Sequence, residues 1–313
     1  MPKYRHRLPQ TSGELFVTDG GLETTLIFHH GITLPEFAAF VLMQDDTGVD
    51  TLQRYYREYG TLAQRYGVGF LFDSPTWRAS RDWGQRLGFS EQALADLNRR
   101  SIELLMGIRD SSETHATRGV ISGCIGPRAD GYVPSRRMSS EEAAEYHLPQ
   151  VRTFSQTEAD MISVLTLNYV EEAIGVTLAA RSVGMPVAIS FTVETDGTLP
   201  TGDTLKEAIE RTDDATAAFP AYYMINCAHP THFRQSLDLA GTWLSRVRGL
   251  RANASQKSHA ELNDATELDD GDPRSFGTDY RRLKARLPQL SVLGGCCGTD
   301  KRHIEAICKA VLE

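Results

Sequence analysis

Short apolar runs alternate with stretches of helical pattern along the whole chain, and this alternation restricts the fold more than any other feature. Eight βα units in a chain of 313 residues are typical of a closed barrel of parallel strands surrounded by helices. We therefore predict a (β/α)8 TIM barrel of the α/β class, formed by one domain over residues 1–313. The predicted strands are residues 15–17, 69–72, 119–125, 161–167, 187–191, 222–226, 247–251 and 290–293.

A doubly wound open sheet is the alternative fold, because periodicity alone does not show whether a parallel sheet closes. Such a sheet favours a Gly-rich dinucleotide or phosphate turn after its first strand. The sequence contains neither G-x-G-x-x-G nor G-x-x-x-x-G-K-[ST], so the barrel is preferred. Ser139 and Thr204, each followed three residues later by a glutamate, predict capping boxes at two helix starts. Thr299 or Asp300 would cap the last helix.

Two segments predict elaborated loops at the end of the barrel where such enzymes keep their sites. Residues 126–138 follow the third strand and are rich in Gly, Pro and Arg. Residues 253–277 follow the seventh strand and are long, polar and acidic. The sequence leaves open whether the acidic loop is only solvated surface or part of a site.

Composition excludes several classes of function. The formal net charge of −8 and the pI near 5.6 argue against a nucleic-acid partner. No apolar run approaches the ~20 residues that span a bilayer, and the N-terminus lacks a secretory pattern. Five cysteines without an export signal indicate reduced thiols in a cytoplasmic protein. The sequence does not fix the oligomeric state, so a homo-oligomer stays open.

Three cysteines lie where predicted strands end. Cys227 ends the sixth strand, and Cys296 and Cys297 follow the eighth inside a glycine-rich turn. In a barrel these ends share one rim, so the thiols would form three ligands of a zinc site whose fourth position is open. The start of the last helix would favour thiolate at the cysteine pair. The alternatives are buried small side chains or a strained Cys296–Cys297 disulfide. Cys124 and Cys308 are expected in the core.

These motifs resemble the homocysteine S-methyltransferase family. The resemblance rests on Asp19-Gly20-Gly21-Leu22-Glu23 after the first strand, Asn226-Cys227 after the sixth and Gly294-Gly295-Cys296-Cys297-Gly298 after the eighth. It spans nearly the whole chain and implies a (β/α)8 barrel with Zn²⁺ on Cys227, Cys296 and Cys297. The implied reaction moves a methyl group from an onium donor, of the S-methylmethionine or S-adenosylmethionine class, to the zinc-bound thiolate of homocysteine, giving methionine.

The same resemblance implies further site residues. Asp19 and the amides of Gly20 and Gly21 would contact the amino-acid end of the acceptor, and Glu23 would hold the turn or reach the ligand. Asn226 would orient the zinc ligands or the acceptor. Ser190 and Thr192, on the fifth strand, are expected to line the pocket.

One departure from the family pattern concerns the fourth strand. Many members end it in Glu-Thr and bind the acceptor's ammonium with that glutamate, whereas here the position reads Leu165-Thr166. Asp73 would replace this carboxylate, with a salt-bridged or capping aspartate as the alternative. Trp77 would offer a cation–π face to the donor, with simple packing as the alternative.

Two other functions stay open. One is a different zinc reaction on the same barrel, either with another thiol acceptor or as a hydrolase or lyase that uses His229 and His232 near Cys227. The other is a non-catalytic zinc- or thiol-binding relative, which the Leu165 departure favours.

Overall fold

The first strand pairs with the last, and this pairing closes the sheet into a barrel. In the computed structural model, which describes residues 1–238 and 240–313, Phe16 and Val17 lie in parallel register with Val292 and Leu293. Every other strand pairs in parallel with the next one along the chain. The predicted (β/α)8 barrel is therefore confirmed and the open sheet is excluded. The strands are β1 Phe16–Val17, β2 Gly69–Asp73, β3 Gly119–Ile125, β4 Met161–Leu167, β5 Val187–Phe191, β6 Tyr222–Asn226, β7 Val247–Ala252 and β8 Val292–Gly295.

Helices surround the sheet. The α-helices are α1 Leu22–Thr24, α2 Asp46–Tyr66, α3 Arg81–Arg86, α4 Glu91–Ser112, α5 Ser140–Ser155, α6 Val170–Ser182, α7 Leu205–Thr216, α8 Pro230–Phe233, α9 His259–Asn263, α10 Pro273–Arg286 and α11 Lys301–Leu312. Shorter 3₁₀ or π segments are Pro9–Ser12, Thr25–His29, Pro35–Phe37, Ala39–Gln44, Ser236–Asp238 and Thr242–Arg246. Within the described residues, the helices are all too short or too polar to cross a membrane.

The barrel interior is filled by side chains from the inward-facing strand positions. Phe16, Leu71, Val120, Met161 and Tyr222 belong to one buried apolar cluster there. The N-terminal segment adds a floor, because Leu8 packs into this cluster and the Gln10 amide donates to the Met161 sulfur at 3.1 Å. The filled floor leaves space for a site at the opposite end, where the strands terminate.

Local signals set most helix starts as predicted. Ser139 and Thr204 form capping boxes at α5 and α7. Asp300, and not Thr299, caps α11 by accepting the Arg302 amide at 2.8 Å. The helix start was ambiguous in the sequence because both residue types accept such a bond.

Two predicted boundaries are wrong by more than one residue. The last strand lies at Val292–Gly295, so the two glycines belong to the strand, where Gly294 and Gly295 pair with Arg251 and Ala252. The acidic loop ends before residue 277, because Asp272 caps α10 through its carboxylate. The run inside the loop also contains a short helix, α9, which begins with a third capping box at Ser258.

Candidate active site at the C-terminal strand ends

The three predicted cysteines converge at one point. Cys227 follows β6, Cys296 and Cys297 follow β8, and their sulfur atoms all lie within 4.8 Å of one another. The Cys227 and Cys297 sulfurs are 3.8 Å apart. Tetrahedral zinc with Zn–S bonds of about 2.3 Å requires neighbouring sulfurs about 3.8 Å apart. The donor set and the Cys227–Cys297 spacing fit a three-thiolate zinc site, provided that the Cys227–Cys296 pair is reduced.

The oxidation state differs from the expectation of five reduced thiols. Cys227 and Cys296 are joined as a disulfide between residues 69 apart in the chain, whereas Cys297 is free. The alternative of a Cys296–Cys297 bond is therefore wrong. The physical reason is convergence, since the fold places three sulfurs so close together that two reach bonding distance. Cys308 is buried in the core as expected, whereas buried Cys124 also lines the cavity described below.

The Cys297 thiol lies in a desolvated environment. Burial raises the pKa of the Cys297 thiol to about 11, and the Glu23 carboxylate acts in the same direction. A hydrogen bond with Tyr132 opposes this rise, with the two heavy atoms 3.7 Å apart. This rise opposes the thiolate preference that the helix start predicts, because burial makes the charged form costly.

A layer of polar groups fixes Cys227, which has a left-handed backbone with φ of 55°. Its carbonyl oxygen accepts from Asn253 Nδ2 at 3.1 Å and contacts His259 Nε2 at 2.7 Å. The Tyr132 ring stacks on the His259 ring at 4.0 Å between centroids, and its hydroxyl donates to Cys227 Sγ at 3.5 Å. These contacts hold the sulfur in place although a non-glycine residue rarely adopts this backbone conformation.

Asn226 connects the cysteines to β4 and β5. Its Oδ1 accepts from the Thr166 amide at 2.9 Å and from Ser190 Oγ at 2.6 Å, and its Nδ2 lies 3.9 Å from Cys296 Sγ. Ser190 and Thr192 are fully buried behind the cavity wall, where Ser190 supports Asn226 and Thr192 donates to the Cys227 carbonyl at 3.4 Å. The structure therefore places both predicted pocket residues in the layer that supports the cysteines.

The first turn packs directly against the cysteine turn. A Cβ atom on Gly21 would lie 2.6 Å from the Cys296 carbonyl oxygen, so only glycine permits this approach. The Gly21 amide donates to the Thr299 carbonyl at 3.0 Å, and the Gly20 amide hydrogen bonds with Tyr59. Both amides are thus engaged inside the protein, and both glycines line the cavity described below.

A buried ion-pair triad crosses the barrel from β7. Arg251 donates to Asp19 Oδ1 at 2.6 Å, to Asp73 Oδ2, and to the Gly295 carbonyl at 3.2 Å. Tyr55 donates to the other Asp19 oxygen at 3.1 Å. Burial raises the pKa of Asp19 to about 6 against the opposing effect of Arg251, whose own pKa the two carboxylates raise. Asp73 is therefore salt-bridged, and its Oδ1 has no hydrogen-bond partner among the described residues.

These groups line one cavity of about 390 Å³ that opens above the strand ends. Glu23 lies on its wall, and burial raises the pKa of this carboxyl to about 7. Leu165 is buried and contributes an apolar wall where a carboxylate was expected from the family pattern. Trp77 also lines the cavity, but the guanidinium of Arg78 lies over its ring at 4.7 Å. One face of the indole is therefore already in contact with a cation of the protein itself.

The two elaborated loops contribute to this site. Tyr132 comes from 126–138, while Leu262 and Asp269 come from the acidic loop and line the cavity. Asp269 accepts from Ser255 at 2.7 Å, which ties the acidic run to the end of β7. The acidic loop is therefore part of the cavity wall, which settles the question its sequence left open.

Sequence reasoning missed Arg251, Tyr132, Asn253 and His259. For Arg251, the signal available in the sequence was its position at the end of a predicted strand. In the structure it meets Asp73 on the rim of the barrel. Tyr132 and His259 lie inside loops whose composition alone marked them as elaborated, and no spacing rule points from them to Cys227. Only the closed fold brings them together.

The two histidines proposed for a hydrolase are not among the described residues that line this cavity. His229 caps α8 by accepting from the Thr231 amide at 3.2 Å, and His232 Nε2 lies 2.9 Å from the Gln256 carbonyl oxygen. Their contacts give them helix-capping and loop-binding functions.

The family model described as homocysteine S-methyltransferase matches residues 16–311 of this barrel, including all three converging cysteines. The fold and the match define the protein as a methyltransferase enzyme built on a TIM barrel. The chain belongs to the homocysteine S-methyltransferase family.

Similar proteins agree with this assignment. Homocysteine S-methyltransferase 4 of Zea mays is 24% identical over 96% of this chain and 91% of its own length. Homocysteine S-methyltransferase 3 of Arabidopsis thaliana is 23% identical, with 96% and 90% covered. The metallated form of the Escherichia coli homocysteine methyltransferase MmuM shares the fold, with a TM-score of 0.72, 18% identity and coverage of 98% and 99%. An oxidized form of MmuM gives the same TM-score at 19% identity, covering 97% and 99%.

Proposed function

We propose that this protein transfers a methyl group from an onium donor, of the S-methylmethionine or S-adenosylmethionine class, to the sulfur of homocysteine, giving methionine. The observation that carries this proposal is the convergence of Cys227, Cys296 and Cys297 within 4.8 Å at the cavity of a homocysteine S-methyltransferase barrel. MmuM, which has the same fold, exists in a metallated form.

Once the Cys227–Cys296 disulfide is reduced, the three cysteines are the residues that would hold the metal, and zinc suits such a set of thiolates. Bound zinc would supply a Lewis acid that keeps the acceptor sulfur as a thiolate. Tyr132 and Asn226 orient the cysteine sulfurs through the contacts at 3.5 and 3.9 Å described above. The chain then has no need of a separate general base for the acceptor.

The cavity suits a cationic methyl donor. Six carboxylates line it, and two guanidinium groups oppose them. One of those guanidinium groups, Arg251, is already paired with two of the carboxylates. The remaining negative charge attracts a sulfonium and, in a site that excludes water, does so more strongly than at the surface. Methyl transfer then depends on holding donor and acceptor in line, for which a walled cavity is suited.

Asp73 is proposed to bind the amino group of the acceptor. Its Oδ1 lacks a partner among the residues that the structure describes, it is 5% exposed, and it lies on the cavity wall. A buried carboxylate oxygen without a donor is costly, so a ligand ammonium placed there is stabilising. Glu23 and Asp19 line the same cavity.

Two measurements test the proposed function. Protein purified under reducing conditions is analysed for metal, and homocysteine methylation is assayed with S-methylmethionine and S-adenosylmethionine. We expect one zinc per chain and formation of methionine with at least one donor. Zinc without transfer from any onium donor would favour a different acceptor, and reduced protein that binds no zinc would exclude the proposed mechanism.

A further inference from the structure

Arg78 is the second guanidinium on the cavity wall. It follows β2, and its side chain is 11% exposed. The guanidinium carbon lies 3.7 Å from the centre of the Trp83 ring and 4.7 Å from that of Trp77. Contact with two indoles fixes the plane of the guanidinium.

The hydrogen bonds of Arg78 are incomplete. Its Nε and Nη1 have no hydrogen-bond partner within residues 1–238 and 240–313. Its Nη2 lies 3.9 Å from Asp130 Oδ2, which is too long for a hydrogen bond. Burial accordingly lowers the pKa of Arg78, with Asp130 and Glu23 opposing. Nε and Nη1 are enclosed by protein, so an anion in the cavity would accept from Nη2, whose contact with Asp130 is too long to satisfy it.

The other guanidinium in the cavity is already engaged. Arg251 donates to two carboxylates and a carbonyl, and the Gly21 amide donates to Thr299. Arg78 and Arg251 are the basic side chains among the described residues that line the cavity. A carboxylate that enters the cavity therefore has Arg78 as its available charged donor.

We propose that Arg78 binds the carboxylate of an α-amino-acid ligand in the cavity, which makes it a specificity-determining residue. This inference rests on the proposed function, which supplies two ligands of this chemistry, homocysteine and a sulfonium donor with an amino-acid end. Together with Asp73 on the same segment, Arg78 gives the cavity one partner for each charge of a zwitterion.

The test uses the full chain carrying Arg78→Met or Arg78→Lys. The matched control is Arg86→Met, because Arg86 also stacks on Trp83, at 4.5 Å, but its side chain is 61% exposed. Dissociation constants are measured by calorimetry for homocysteine and S-methylmethionine, and for 3-aminopropane-1-thiol and (3-aminopropyl)dimethylsulfonium, which differ from them only in lacking the carboxylate. Thermal unfolding shows whether each variant is folded.

We expect Arg78→Met to weaken binding of homocysteine or of S-methylmethionine by more than tenfold. Binding of the corresponding analogue without a carboxylate should change by less than twofold. If homocysteine binding is weakened, the acceptor supplies the carboxylate; if S-methylmethionine binding is weakened, the donor does. Arg78→Lys should fall between wild type and Arg78→Met, because lysine keeps the charge without the planar fork.

Two results overturn the proposal. One is that both amino-acid ligands bind Arg78→Met within twofold of wild type. The other, measured on wild type and so independent of folding, is that removing the carboxylate weakens neither ligand by tenfold. These measurements report binding and do not require turnover. If the wild-type protein transfers no methyl group, the proposed reaction is contradicted, but the binding constants still test the role of Arg78.

Discussion

The side-chain amide of Asn226 binds Thr166 at both ends, accepting from the Thr166 amide at 2.9 Å and donating to its hydroxyl at 2.8 Å. Thr166 has a φ of 67°, a left-handed conformation that a β-branched residue rarely adopts. The same amide reaches Cys296, so the strained residue on β4 and the cysteine turn share one support. Strain of this kind persists only where surrounding contacts maintain it.

Asn226→Ala removes the bonds to Thr166 and to Ser190, and we expect it to lower the free energy of unfolding by about 2–3 kcal/mol. Urea unfolding measures the loss. Thr166→Gly in the same background should restore part of it, because glycine adopts a positive φ at little cost. If Asn226→Ala costs the same with and without the Thr166→Gly substitution, the two residues are not coupled.

Arg251→Met leaves Asp19 and Asp73 buried without their shared cation. We expect a loss of about 3–5 kcal/mol in the free energy of unfolding, because each unpaired carboxylate then bears its full desolvation cost. Adding Asp73→Asn should recover part of the loss. The control is Lys301→Met, which removes an exposed ion pair with Glu58 and should cost less than ~1 kcal/mol. Similar losses from both substitutions would contradict the importance of the triad.

Cysteine substitutions separate the cluster from the other thiols. Cys297→Ser should bind less than one tenth of the zinc that wild type holds against a chelator, since a neutral hydroxyl replaces a thiolate ligand. Cys308→Ser should hold zinc as wild type does, because Cys308 is buried in α11. Plasma emission spectrometry on reduced protein measures both. Zinc held equally well by the two variants would place the metal elsewhere.

Glu23 gives the stability a pH dependence of known sign. Burial raises the pKa of its carboxyl from 4.5 to about 7, so the folded state holds this proton more tightly than the unfolded state. The contribution of Glu23 to stability is therefore full below about pH 4.5 and is lost as the pH rises to about 7. Glu23→Gln should gain in Tm relative to wild type between pH 5 and pH 8. Glu103→Gln, at an exposed position on α4, is the control, and a parallel gain in that variant would contradict the assignment.

The sequence was sufficient to predict the barrel and the convergence of the three cysteines at its rim. The eight apolar runs place Cys227 and Cys296 at strand ends, and closure of the sheet then brings those ends to one rim. The capping box at Ser139 was equally predictable, because the two residues that form it are only three positions apart in the chain.

Contacts between distant loops were not predictable in the same way. The stacking of Tyr132 on His259 joins residues from two loops, and neither loop has a hydrophobic period that fixes its path. The pairing of Arg251 with Asp73 depends on which strand residues point inward at the rim, and a shift of one residue reverses that direction. Because the sequence does not fix the direction of a strand side chain, it predicted Ser190 in the pocket wall. In the structure, the Ser190 hydroxyl donates to Asn226.

Asp73 and Leu165 provide the sharpest test of how the acceptor is bound. Asp73→Asn should raise the KM for homocysteine or for the donor by more than tenfold, because the ligand's cation loses a buried charged partner. Introducing Leu165→Glu into that variant places a carboxylate on β4, at a position that lines the same cavity, and should recover at least part of the affinity. Leu262→Glu, on another wall of the cavity, is the control for added charge alone. An unchanged KM in Asp73→Asn would remove Asp73 from the site. Equal recovery from both glutamates would mean that ligand affinity depends on the net charge of the cavity and not on the position of the carboxylate. A bound ammonium should distinguish the two positions, because it binds a carboxylate through hydrogen bonds of fixed geometry.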